Sequence, residues 1–173
     1  MAAQIIKMYK EHFSTARLIG KRYTDGDRVD GIFAEKWGQW FQNKWFHKIL
    51  GDSLSVMPDD FGSYLGFMRV IEGEFEYWIG TAFPPDTPVP DGFEYIDLGE
   101  CDVATYWIYG NEQSGELFDP DVHERCLAQL AENGYTPKEN AWCMERYTCP
   151  RYTEPDEKGN VILDYCIAIE SQE

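Results

Sequence analysis

Basic residues are scarce in this chain: 15 Lys and Arg stand against 31 Asp and Glu among 173 residues, a formal charge of −16. Binding along a phosphate backbone needs clustered cations, so the scarcity excludes general nucleic-acid binding, and no direct DNA contact is expected. Long apolar runs are missing too. No stretch approaches the roughly 20 residues of a membrane helix, and the opening Met-Ala-Ala-Gln-Ile-Ile-Lys lacks a signal-peptide core and cleavage site. No membrane association is expected, and the cytosol is the expected compartment. Histidine is limited to His12, His47 and His123, none at zinc-ligand spacing with a cysteine. The five cysteines (Cys101, Cys126, Cys143, Cys149 and Cys166) form no CxxC pair and are expected as buried or inert thiols. Phosphate-binding glycine loops, HExxH and GxSxG are absent as well. No metal and no cofactor is expected.

Aromatic residues, in contrast, are abundant. Six Trp, eleven Tyr and ten Phe give ample area to bury and exclude disorder as the main state. The acidity is uneven: residues 1–50 carry nine basic and five acidic side chains, which leaves a charge of −20 on residues 51–173. An acidic surface beside many rings favours cations and lipophilic amines as ligands. It also serves simply to keep an aromatic-rich chain soluble.

Periodicity gives the outline. Residues 1–12 read as a short mixed segment and Phe13–Tyr23 as extended chain. Ile32, Phe33, Trp37, Trp40, Phe41, Trp45 and Ile49 form one apolar face of a helix, stopped by Gly51. The three Trp of that stripe read as core. Tyr64–Ile71 and Glu74–Phe83 read as strands joined at Glu72-Gly73. A proline-rich stretch, 84–92, reads as a connector. The order then repeats: a strand over Asp102–Tyr109, a helix started by Asp119-Pro120 and ended at Asn133-Gly134, and strands over Trp142–Cys149 and Val161–Ile169. The expected fold is α+β, built from duplicated strand–helix–strand–strand units (about 12–83 and 93–170) with pseudo-two-fold symmetry. It forms an antiparallel sheet with two main helices and a central ligand groove, in a single domain over 1–173.

The strand Trp142-Cys-Met-Glu145-Arg-Tyr147-Thr-Cys149 carries the most chemistry. A period of two puts Cys143, Glu145, Tyr147 and Cys149 on one face. If that face is enclosed, Glu145 is poorly solvated and its pKa tends upward, which suits it to hold a cation or act as a general base. If the strand lies at an edge, Glu145 faces water and Met144 the core. Both readings stay open. Tyr106 and Trp107, with Tyr77, Trp78 and Tyr165 on neighbouring strands, supply rings for an aromatic box. Ordinary core packing is the competing role for each.

These motifs, in order, resemble the GyrI-like effector-binding domains. The resemblance rests on Thr15-Ala-Arg-Leu-Ile-Gly20-Lys, Phe75-Glu-Tyr-Trp-Ile-Gly80, Ala104-Thr-Tyr106 through Gly110, Met144-Glu145-Arg-Tyr147 and Cys166-Ile-Ala-Ile-Glu170, over residues 12–170. It implies a central aromatic pocket in which Glu145 faces bound lipophilic cations beside Tyr147, with ring contacts at Tyr106 or Trp107, Trp142 and Tyr165. The implied bacterial protein is a stand-alone binder of hydrophobic, often cationic small molecules, a sensor or sink, because no helix-turn-helix module accompanies the pattern. Two alternatives follow from the same resemblance. One is a hydrolase that opens cyclopropane-containing alkylators with Glu145 and Tyr147 as catalytic residues. The other is a protein that protects gyrase or contacts a separate regulator. Monomer and dimer both fit.

Overall fold

The computed structural model describes residues 2–51 and 64–171. Among the described residues, eight strands and three α-helices follow one another as β1 (Gln4–Phe13), β2 (Ala16–Tyr23), α1 (Ala34–Gln42), α2 (Trp45–Leu50), β3 (Tyr64–Ile71), β4 (Glu74–Phe83), β5 (Glu94–Leu98), β6 (Cys101–Asn111), α3 (Pro120–Glu132), β7 (Cys143–Tyr147) and β8 (Asn160–Ile169). All strands join one antiparallel sheet in the order β1-β6-β8-β7-β3-β4-β2-β5.

That order has two matching halves, β3-β4-β2 and β7-β8-β6, which meet where β3 pairs with β7. Each half carries an edge strand from the other end of the chain's repeat: β1 borders β6 and β5 borders β2. Neither edge strand is legible from periodicity. β1 replaces the mixed segment expected at the start, and Ser14-Thr15 divides the extended run that follows. β1 shows few side chains to the core, so its sequence has no clean alternation. What fixes it as a strand is the backbone ladder to β6.

The sheet is curled. Five strands separate β1 from β2, so a flat sheet would hold them about 29 Å apart. Ser14 and Thr15 reach about 11 Å at most. The curl brings residues of all eight strands into one apolar cluster on the inner face, including Phe13, Leu18, Phe67, Trp78, Ile96, Val103, Met144 and Cys166. Where β2 meets β4, Gly20 opposes Gly80 so closely that a Cβ on Gly20 would lie 2.0 Å from the Ile79 carbonyl oxygen.

The helices cover the outer face in two groups. α1 and α2 pack over Ile19, Tyr77 and Ile79, and α3 over Tyr106, Ile108, Tyr165 and Ile167. α3 starts as its sequence predicts: Asp119 accepts a hydrogen bond from the Asp121 amide (3.0 Å), Pro120 opens the first turn, and Val122, Cys126 and Leu130 face inward. The single helix expected over 32–49 is two helices. Lys44 adopts a left-handed conformation (φ 56°) that breaks the ladder between them; Ile32 precedes α1 and Phe41 lies on its outer side, so both are exposed, whereas Trp40 is fully enclosed. The β3–β4 hairpin turns at Glu72-Gly73, both with positive φ, as a tight antiparallel connection requires.

Candidate functional site

β7 has neighbours on both sides, β3 and β8, so Glu145 does not lie on a sheet edge. It sits near the junction of the two halves, on the helix-bearing face between the α1–α2 pair and α3. Its cross-strand partners are Gly66 and Tyr165. Gly66 is a spatial requirement there: a Cβ would lie 2.6 Å from both Glu145 Oε1 and the Tyr77 hydroxyl. The absent side chain lets the Tyr77 hydroxyl donate to Glu145 Oε1 at 2.9 Å. Trp37 of α1 in turn donates its indole N–H to the Tyr77 oxygen at 2.9 Å. Phe33 stacks flat on Tyr77 with ring centroids 4.1 Å apart, and Tyr147 meets Trp37 edge-on at 4.8 Å.

Glu145 is thus a carboxyl enclosed by rings, 9% exposed. Desolvation pushes its pKa up to about 7, although hydrogen bonds from Tyr77 and Tyr147 favour the carboxylate and pull the other way. Burial, reinforced by the nearby Glu145 charge, holds both phenols well above their ordinary range, so they act as donors and not as anions. The Arg28 charge acts on Tyr77 in the opposite direction, and Arg28 is part of the adjoining cavity's lining.

A cavity of about 440 Å³ opens beside this carboxyl, within the size range of small-molecule sites. Glu145, Cys143 and Tyr165 line it from the sheet, Met68, Val70 and Phe75 from the β3–β4 hairpin, and Leu117, Val122 and His123 from α3 and the segment before it. The Tyr165 hydroxyl lies 2.6 Å from His123 Nδ1. Burial raises the Cys143 thiol to about 11, so it stays protonated.

Of the residues singled out in the sequence, Glu145, Tyr77, Tyr147 and Tyr165 come together here. The other four lie elsewhere. Tyr106 is fully buried beneath α3 and donates to the Cys126 carbonyl (2.8 Å). Trp78 belongs to the inner core, where its indole donates to Glu76. Trp142 packs against that core beside Phe13 and Phe67. Trp107 donates to the Tyr9 hydroxyl under the cations of Lys7 and Arg151. Strand parity accounts for Trp107 and Trp78, which follow residues of the helix-bearing face, whereas Tyr106 shares that face with Tyr165 but is covered by α3. Trp37, expected as plain core, instead reaches the Tyr77 hydroxyl. Gly66 was overlooked, though a glycine inside an apolar strand is a sequence sign that another group approaches closely.

This antiparallel α+β sheet of matched halves is the fold that the GyrI-like resemblance implies, and solved structures share it, two of them as follows. One is SAV2435 bound to tetraphenylphosphonium, with a TM-score of 0.70 and 14% identity over 96% of this chain and 95% of that one. The other is a Staphylococcus aureus MU50 protein provisionally named for bacterial transcription regulation, with a TM-score of 0.66 and 15% identity over 95% and 99%. No family model matches the sequence, and no curated protein does. Among the described residues no helix is long and apolar enough to cross a membrane, and no cluster of His, Cys, Asp or Glu could hold a metal ion.

Proposed function

We propose that residues 1–173 act as one ligand-binding domain for hydrophobic, often cationic or aromatic small molecules, with Glu145 as the anionic contact. The observation that carries this reading is a carboxyl of pKa about 7 beside a largely apolar cavity. A cation entering there meets a charge that has already lost its water, so attraction is only weakly screened. Tyr165, Phe75 and Phe118 supply rings in the cavity lining, while Tyr77 and Tyr147 hold the Glu145 carboxyl from behind by hydrogen bonds. Tetraphenylphosphonium, held by a protein of the same fold, is a lipophilic cation of this class.

A cation binds the ionised form of Glu145, so affinity follows the ionised fraction. With a pKa of about 7, that fraction is roughly a tenth at pH 6 and nine-tenths at pH 8. Apparent affinity for tetraphenylphosphonium, followed by tryptophan fluorescence, is therefore expected to weaken about tenfold from pH 8 to pH 6. In Glu145→Gln it is weaker at pH 8 and flat across this range. Absence of saturable binding in the wild type, or indistinguishable titrations of the two proteins, refutes the assignment.

The same pKa favours a second reading, in which Glu145 takes a proton from water during hydrolysis of a strained electrophile. Incubation of purified protein with a cyclopropane-containing alkylator separates the two: catalytic product supports the enzyme, and stoichiometric retention of intact ligand supports the binder.

A further inference from the structure

Arg28 lines the cavity and keeps part of its side chain exposed, whereas Glu145 is buried, so it marks the outer side, or mouth, of the site. It follows a single 3-10 turn (Asp25–Asp27) and precedes α1, in a loop closed by paired backbone hydrogen bonds between Val29 and Ile32. Asp30 and Gly31 hold left-handed conformations there (φ 53° and 80°). Arg28 Nε donates to Asp25 at 2.9 Å and Nη1 to the Gly31 carbonyl at 3.0 Å. These bonds set the guanidinium over two rings, 4.6 Å from the Phe33 centroid and 5.1 Å from that of Phe75. Phe33 stacks on Tyr77, which bonds Glu145. A column of groups thus joins a cation at the mouth to a carboxyl inside.

The other charged residues around the cavity also have partners, as Arg28 has in Asp25, but none of them is set over the ring column. Arg69 is bound to Glu76 (2.8 Å), whose carboxylate also takes Arg22 and the Trp78 indole. Asp119 caps α3, and His123 meets Tyr165. Arg28 keeps 34% of its side chain exposed, and among the described residues no hydrogen bond engages its Nη2. The cation–π face at the mouth is therefore already taken by the protein's own charge. A second positive charge on a ligand meets repulsion there, and an anionic group meets a positioned donor.

Building on the Glu145 reading, we propose that Arg28 determines ligand selectivity. The cationic centre of a ligand goes inward to Glu145, its outer end pairs with Arg28, and the preferred class is aromatic zwitterions over compounds positive at both ends. Such ligands carry an amine or iminium on a flat ring system and a carboxylate, sulfonate or phosphate at the far side. The arrangement lets an acidic protein discriminate among cations that its bulk charge attracts alike.

Rhodamine 110 and its methyl ester, rhodamine 123, share a cationic xanthene and differ in one carboxylate, which makes them a matched pair. Fluorescence anisotropy at pH 8 is expected to show the carboxylate dye binding the wild type about fivefold more tightly, the size of one partly exposed ion pair. Arg28→Gln should abolish that ratio and tighten tetraphenylphosphonium. Arg28→Lys, which keeps the charge, should retain the ratio in reduced form. Glu145→Gln should weaken both dyes together and leave the ratio intact. Equal affinities in the wild type, or a preference that survives Arg28→Gln, overturns the proposal while the Glu145 reading stands. Dye binding indifferent to Glu145→Gln, with the Arg28 ratio intact, overturns the Glu145 reading instead. No saturable binding of either dye overturns both.

Discussion

Glu145→Gln isolates the energetic consequence of enclosing one carboxyl, with no ligand needed. The substitution keeps size and the ability to accept the Tyr77 hydroxyl at 2.9 Å, and removes only ionisation. In the folded protein the carboxyl titrates near 7, against a reference of 4.5. A folded pKa above the unfolded one favours the protonated native state. The contribution is fully present below about pH 4.5 and is lost as pH rises through 7. The difference corresponds to about 3 kcal/mol at full ionisation. For a chain of this size that is a shift of roughly 6–12 °C in melting temperature. Thermal or urea melts of both proteins at pH 5, 6, 7 and 8 give the assay. Glu76, Asp97 and Asp156, all held below their ordinary range by hydrogen-bonding partners, shift stability in the opposite sense at lower pH, but they do so equally in both proteins and cancel in the difference. The Gln variant should gain on the wild type from pH 5 to about pH 7 and level off toward pH 8. Parallel stability profiles would refute the argument, because they would mean the carboxyl is solvated in the native state.

Gly66→Ala introduces a methyl 2.6 Å from both Glu145 Oε1 and the Tyr77 hydroxyl. It should abolish the pH-dependent part of cation binding, and a calorimetric titration that matches wild type would contradict this. Asp164 is fully buried on β8 and accepts from Arg146 Nε (2.9 Å) and Arg151 Nε (2.7 Å). Asp164→Ala leaves guanidinium groups without their shared partner and should destabilise the fold by about 3–5 kcal/mol in urea melts, with a loss under 1 kcal/mol counting against the network.

Much of the architecture was legible because it follows from local rules. The caps and period of α3, the β3–β4 turn and the paired strands of each half rest on residues near in sequence. β1 and β5 were missed because each gains its place from a ladder to a distant strand and not from its own alternation. The break at Lys44 was missed because no proline or glycine marks it; Lys44 takes the left-handed conformation that more often calls for glycine, and α2 beyond it buries Phe46, Ile49 and Leu50. At the site, period two grouped Cys143, Glu145 and Tyr147 on one face as expected, but not Cys149, which is exposed beyond the end of β7 because the strand stops at Tyr147. The period left open whether that face met water or protein.

The sequence by itself determined the α+β character, the acidic surface and the alternation that makes Glu145 and Tyr147 share a face. All of these depend on residue type and on spacing along one strand. The tertiary structure decided what that face meets. Pairing of β7 between β3 and β8 removes Glu145 from water, Gly66 opens the gap through which Tyr77 reaches it, and Trp37 and Arg28 arrive from a helix and a loop more than a hundred residues away. A pKa, a cavity and a charge at its mouth depend on which groups surround a point in space. No local pattern encodes them, because the neighbours are chosen by the curl of the sheet and by the two helix layers that leave a gap between them.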